Sequence, residues 1–599
     1  MRACRGKLGF MRLTLMALLV VGMAPGPVFA DDQANSESTT KTQKTEMAKP
    51  VTSNADAPAP LTERERWLLD RVEQLEKRVA ELESKSNAKA VSSREGSPEQ
   101  AIAAQPTAAP DVAVRPAPAS ATSNSATPAT TTESTVSVAA ANLPVARSTK
   151  QEQKAATKPA KAEPFAFADF TWLNGNARTK ESPWETKFFT PEVRADISYI
   201  YDFNHPKDDT ISGSSEVFRS KEVQVTQLGV GGDFHYDNVR ARLMTQFGMY
   251  SFTTPRNDAS PARGQWSLDT AYRYVSEAYG GYHFDVLHGV NVDAGIFMSY
   301  IGLFSYYNFD NWAYQPSFVS SNTPWFFNGV RVQIFPTEHL KIEPWFTNGW
   351  QSYGRFNHRP GFGTQVLYRP NGWLSVLGNQ YAFGEETLGV PGRVRYHTDD
   401  SIEIKYYDNP ENFLSKMAFS LTGDAGCEHG GGVSCYTRTR QGPKQSFLGF
   451  MFYNRFWFNN DKYGLTLGGG RINNPGRYLV LIPPINGATA QSAAINSPYF
   501  TGNPGDPFKA WDASGTFDWM PSQYITFRWE FDHRAANVPY WSGPGGVTPP
   551  GGNNGNPTLF ACMDGTPSPT GNCALNGGLW TPDLKKIENR INLAILVKF

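Results

Sequence analysis

The chain has 599 residues, and its 56 basic side chains equal its 56 acidic ones, so no net field favours nucleic acid or an anionic membrane surface. No apolar run after the first thirty residues is long enough for a membrane helix, although aromatic residues make up 13% of the chain. A chain of this length is expected to hold more than one region.

Residues 1–30 read as a secretory signal peptide. Arg2, Arg5, Lys7 and Arg12 precede the apolar run "LTLMALLVVGMA", and "VFA" ends at Ala30 as a cleavage site. Residues 31–60 are polar and poor in large apolar groups, which predicts disorder. In residues 61–85, Leu68, Val72, Leu75, Val79 and Leu82 alternate as d and a positions of a heptad. Thr62 and Glu65 form a capping box at its start. A helix of barely three heptads is marginal alone, so a coiled coil that self-associates is expected. Residues 86–163 are rich in Ala, Pro, Ser, Thr and Lys without periodicity and read as a linker.

From residue 164 to 599 the pattern becomes period two. "EVRADISYIY" sets Val193, Ala195, Ile197, Tyr199 and Tyr201 against Glu192, Arg194, Asp196 and Ser198. About sixteen such segments are legible, among them 192–201, 238–250, 272–285, 401–408, 413–423 and 587–598. Many have the length of a tilted membrane strand. The links between them alternate short and long, as in a transmembrane antiparallel β-barrel of the outer membrane. A soluble sandwich would bury the apolar faces. These faces are loaded with Tyr, Trp and Phe, as aromatic girdles at a bilayer require, and only a closed barrel leaves no unpaired edge in lipid.

On the polar parity lie Arg194, Asp196, Arg240, Arg242, Arg273, Glu277, Arg331, Glu343, Glu403, Lys405, Arg528 and Glu530. They are the expected pore-lining residues, with charges of both signs; paired ladders that stiffen the wall are the alternative for any one of them. The loop 301–324 supplies the constriction candidates Tyr306, Tyr307, Asp310, Trp312 and Tyr314, with Asp310 its only charge. Rings there would stack on sugar-like solutes or pack as a lid. Cys427 with Cys435 and Cys562 with Cys573, each pair in a Gly-rich stretch, are expected to form two local disulfides in long loops. No plug domain is expected before the barrel. No nucleophile–base constellation or nucleotide motif is legible, so neither an enzyme nor a cofactor is expected.

The stretches "VNVDAGIFMSYIGLFSYYNFDNWAYQPSF" and "TPWFFNGVRVQIFPTEHLKIEPWFTNGWQSYGRFN" resemble the putative beta-barrel porin-2 (OmpL-like) family over roughly residues 185–599. The resemblance implies an outer-membrane porin in a Gram-negative-type bacterium and transfers no catalytic residue. "INLAILVKF", ending on Phe599, resembles the terminal strand by which barrel assembly machinery recognises such proteins. The expected function is passive diffusion of small polar solutes through a water-filled pore; the alternative is a structural or adhesive barrel whose loops bind a surface partner. A homo-oligomer, by analogy a trimer, is expected. The N-terminal region is expected in the periplasm, with peptidoglycan as a possible partner of the coiled coil.

Overall fold

The structure is a computed structural model. It describes Lys77 and residues 163–599 except 181, 256–257, 259, 261–262, 388, 441, 480–502, 552–559 and 569–571. The signal peptide, the 31–60 segment and the linker to residue 162 lie outside the described residues, as does the coiled coil apart from Lys77. The chain divides into two compact units, Met1–Ala126 and Thr127–Phe599, and among the described residues every strand belongs to the second.

Sixteen antiparallel strands close into one barrel. In chain order they are β1 (Phe189–Asp202), β2 (Val223–Tyr236), β3 (Val239–Thr245), β4 (Val275–Phe284), β5 (Val290–Met298), β6 (Phe326–Thr337), β7 (Leu340–Thr347) and β8 (Gly361–Asn371). β9 (Leu374–Glu385), β10 (Val394–Asp408), β11 (Leu414–His429), β12 (Ser446–Phe458), β13 (Tyr463–Asn474), β14 (Phe508–Ser522), β15 (Ile525–Ala536) and β16 (Ile587–Lys598) complete the ring. Each strand pairs with its sequence neighbours, and β16 returns to β1 from Arg194↔Lys598 to Asp202↔Arg590. Closure satisfies every edge, which a sheet in lipid must do.

The links confirm the two-sided pattern. At one end the turns are tight: β2 and β3 meet through Tyr236↔Val239, with Asp237 left-handed at φ 55°. At the other end the loops are long. They hold two small ladders, Trp541–Ser542 against Leu584–Lys585 and Phe560–Ala561 against Pro567–Ser568.

β3, β10 and β11 are among the strands whose ends the alternation does not predict. β3 stops at Thr245, and the chain continues through a lone Leu228↔Phe247 bridge to the single helical turn Tyr250–Thr253, which takes in Tyr250 at the end of the expected segment. β10 begins at Val394 rather than 401, and β11 runs on to His429 rather than 423. The added rungs carry Thr398 and Asp400 outward, where Gln380 donates to both. Polar residues on both faces erase the period-two signal that lipid imposes lower down.

The disulfides are Cys427–Cys435 and Cys562–Cys573. Cys427 stands near the end of β11 rather than in the loop beyond it, so the first bond ties that strand to loop 430–445. Non-reducing peptide mapping of the exported protein is expected to recover these two pairings; free thiols or crossed pairs would contradict the arrangement.

Candidate functional site

The candidate site is the barrel interior. Along each strand one parity points outward and stays exposed, such as Phe450, Phe452, Leu467, Phe517 and Trp529. The other parity points inward and is buried, although much of it is charged: Arg331, Arg369, Arg455, Arg528, Arg534 and Arg590 are among the largest fully buried side chains. A buried guanidinium demands a partner, and the strand register supplies several across neighbouring rungs.

Arg240 and Arg331 both reach Asp293, at 3.2 and 3.1 Å. Arg242 reaches Glu192 at 3.0 Å, Asp233 at 2.7 Å and Glu277 at 3.0 Å. Lys341 reaches Glu343 at 2.8 Å, and Lys405 reaches Asp408 at 2.5 Å. Arg455 and Arg528 share Asp518, at 2.8 and 2.7 Å. The expected wall residues Arg194, Asp196, Arg240, Arg242, Glu277, Arg331, Glu343, Glu403, Lys405, Arg528 and Glu530 all sit on the inward parity of strands. Arg273 does not. It follows the helical turn Leu268–Tyr272, ahead of β4, and lies over the exposed Phe252 ring at 4.5 Å. The alternation assigned it to a strand that starts two residues later.

The loop 299–325 between β5 and β6 folds into this interior and crosses it. Asn308 donates to Asp196 on β1 at 2.8 Å, and Tyr307 donates to Glu277 on β4 at 2.8 Å. The backbone of Tyr314 and Gln315 donates to Glu530 on β15, at 2.6 and 2.7 Å. Arg528 donates to the carbonyls of Asn308, Asn311 and Ala313. Asp310 pairs with Arg194 on β1 at 2.7 Å and with Lys598 on β16 at 3.2 Å. Tyr306 donates to Gln246. The Trp312 ring stands edge-on to Trp457 at 5.6 Å, and Tyr307 lies under the Arg194 guanidinium at 4.0 Å. These contacts turn the candidate constriction rings toward the wall, where they pack.

A second occupant was not legible as such in the sequence. Residues 163–180, ahead of β1, enter the barrel at its short-turn end. Phe165, Phe170, Trp172, Leu173, Asn174, Asn176 and Ala177 are buried there. Asp169 lies just ahead of the short helical turn Thr171–Leu173 and accepts from the Thr171 amide at 2.9 Å. Burial works to raise that carboxyl, but the hydrogen bonds from Thr171 hold it below its ordinary value. The available signal was four aromatics, Phe165, Phe167, Phe170 and Trp172, crowded without alternation after a linker that has none. Asp518, Arg369, Arg534 and Arg590 were also missing from the expected wall residues. Among the described residues no group of His, Cys, Asp and Glu is disposed to hold a metal ion.

The family described as "Putative beta-barrel porin-2, OmpL-like" matches residues 194–562. Among the curated proteins none matches this chain. Solved structures similar in fold include OmpT (in-vitro folded), an outer membrane protein of Vibrio cholerae, at 8% identity over 69% of this chain and 96% of that one, TM-score 0.35. The outer membrane channel DcaP of Acinetobacter baumannii is 13% identical over 69% of this chain and 96% of its own, TM-score 0.36. An anion-selective porin from Comamonas acidovorans is 9% identical over 69% and 99%, TM-score 0.35. Likeness this distant carries no substrate from one barrel to another.

Proposed function

Because the chain belongs to the Putative beta-barrel porin-2, OmpL-like family, we propose that its barrel works as an outer-membrane porin, passing small polar solutes by passive diffusion. The observation that carries this reading is the closed sixteen-strand barrel with an apolar outer face and a charged inner one. Lipid requires the first, and an aqueous route for polar solutes requires the second. The protein is read as a channel without catalysis.

The short-turn end is proposed to face the periplasm, with the N-terminal region in that compartment and the long loops outside. This follows the usual disposition of such barrels. Phe599 stacks on Trp184 and Tyr524, at 5.3 and 5.4 Å, and its backbone pairs with Val193. It is proposed as the residue that assembly machinery reads. A trimer, and a contact between the coiled coil and peptidoglycan, complete the proposal.

Single-channel recording in planar bilayers with a panel of solutes tests the function. Discrete ohmic steps, with reversal potentials that shift in a salt gradient, are expected. A folded barrel that never conducts under any condition would leave the adhesive reading in its place.

A further inference from the structure

We infer that the short-turn mouth of the barrel is a peptide-binding site whose ligand is the chain's own segment 163–180, and that this segment is the stopper of the channel. The inference rests on the porin reading and concerns its regulation.

The path of the segment is the first ground. Phe165 donates its amide to Glu338, in the β6–β7 turn, at 2.8 Å, and the Phe167 ring lies 4.1 Å from His339. Trp172 donates from its indole to the Gly372 carbonyl in the β8–β9 turn at 3.1 Å. Asn176 donates to the Ser522 carbonyl at 3.1 Å, and Arg178 donates to the carbonyls of Met520 and Pro521 at 2.6 Å each. Those last three acceptors belong to the β14–β15 end. In a closed ring of sixteen strands, the β6–β7 and β14–β15 turns lie eight strands apart, half of the circumference. The segment therefore runs across the diameter of the mouth.

The second ground is recognition from the wall. Arg455 donates to the Gly175 carbonyl at 2.7 Å. The Arg369 guanidinium lies over the Phe170 ring at 4.7 Å, and the Lys405 ammonium lies 6.0 Å from the Trp172 ring. Cations that would otherwise face the lumen hold rings and a carbonyl of the peptide. Toward the long-loop end, the Gly175 amide donates to the Asp310 carbonyl at 2.9 Å, so stopper and inward loop meet. The approach admits only glycine: a Cβ on Gly175 would stand 2.4 Å from the carbonyl oxygens of Phe309 and Asn311.

The third ground is that the barrel closes without this segment. It contributes no strand to the ring, and β16 pairs with β1 independently of it. A cleft of about 660 Å³ runs along its flank, bordered by Ala168, Asp169, Gly372, Trp373 and Lys405. The segment is held by side chains and turn carbonyls rather than by strand pairing, so it can leave and return with the ring intact.

Two substitutions in the full chain act in opposite directions. A Cβ placed on Gly372 would stand 2.9 Å from the Ala168 Cβ, so the pair Ala168→Cys and Gly372→Cys is close enough to cross-link after a small adjustment. Gly175→Val cannot seat against the loop. Planar-bilayer current is recorded for the wild type, the oxidised and reduced cysteine pair, and Gly175→Val, each first checked as folded by heat-modifiable migration. Wild type given the same reductant controls for the two native disulfides. The expected result is loss of current in the oxidised pair, recovery on reduction, and more open time in Gly175→Val than in wild type. Equal currents in all of them would overturn the stopper while leaving the porin standing. Silence in every folded form, Gly175→Val included, would instead remove the porin reading on which the stopper depends.

Discussion

Asp518→Ala is expected to destabilise the barrel by about 3–5 kcal/mol, because it strips the shared counter-ion from two buried guanidiniums. Asp518 on β14 accepts from Arg528 Nε and Nη2, at 2.7 and 3.0 Å, and from Arg455 Nη2 at 2.8 Å. Arg455, Arg528 and Asp518 are all fully buried. The loop carbonyls that also receive these guanidiniums can keep some hydrogen bonds, but they carry no compensating charge. Adding Arg455→Met to Asp518→Ala is expected to recover part of the loss, since one of the two orphaned cations goes with it. Thermal or denaturant titration of the folded band on gels measures both. A loss within about 0.5 kcal/mol for Asp518→Ala, the range of surface substitutions, would mean that water reaches this triad.

Phe452→Arg is expected to cost about 2–4 kcal/mol and Leu448→Arg only about 0–1 kcal/mol, by the depth dependence of charge on a lipid-facing strand. Both lie outward on β12, with Phe452 at its centre and Leu448 near the long-loop end. Phe452 pairs with Leu421 and Gly469, neither of which offers a hydrogen bond from its side chain. Leu448 pairs with Asn473 at the rim. Folding titrations into lipid vesicles read the two costs. Equal costs would place the bilayer elsewhere on the barrel.

Lipid is the reason so much of the barrel was legible. It forces every second residue, the outward one, to be apolar, and that alternation marks all sixteen strands and most inward side chains. Where the wall rises above lipid the rule lapses, and β10 around Thr398 and Asp400 then reads as loop. What the inward residues touch was not legible, because their partners are remote in sequence. Asp310 meets Arg194 and Lys598, 116 and 288 residues away. Parity identifies a polar face, but it does not distinguish a side chain bathed in water from one packed against an entering segment. The N-terminal stopper has no periodicity at all, and its aromatics could be interpreted only once a cavity to receive them was known.

Asp310 has a consequence for how the protein is made. Its carboxylate grips Arg194 on the first strand and Lys598 on the last, and those two residues face each other across the seam where the ring closes. Closing the ring brings these two cations together, and Asp310 reaches both only with its loop inside the barrel. The same carboxylate therefore ties the filling of the interior to the joining of the first strand with the last. A barrel truncated by a few residues at its end would lose Lys598, and with it the internal latch as well as the terminal strand pairing.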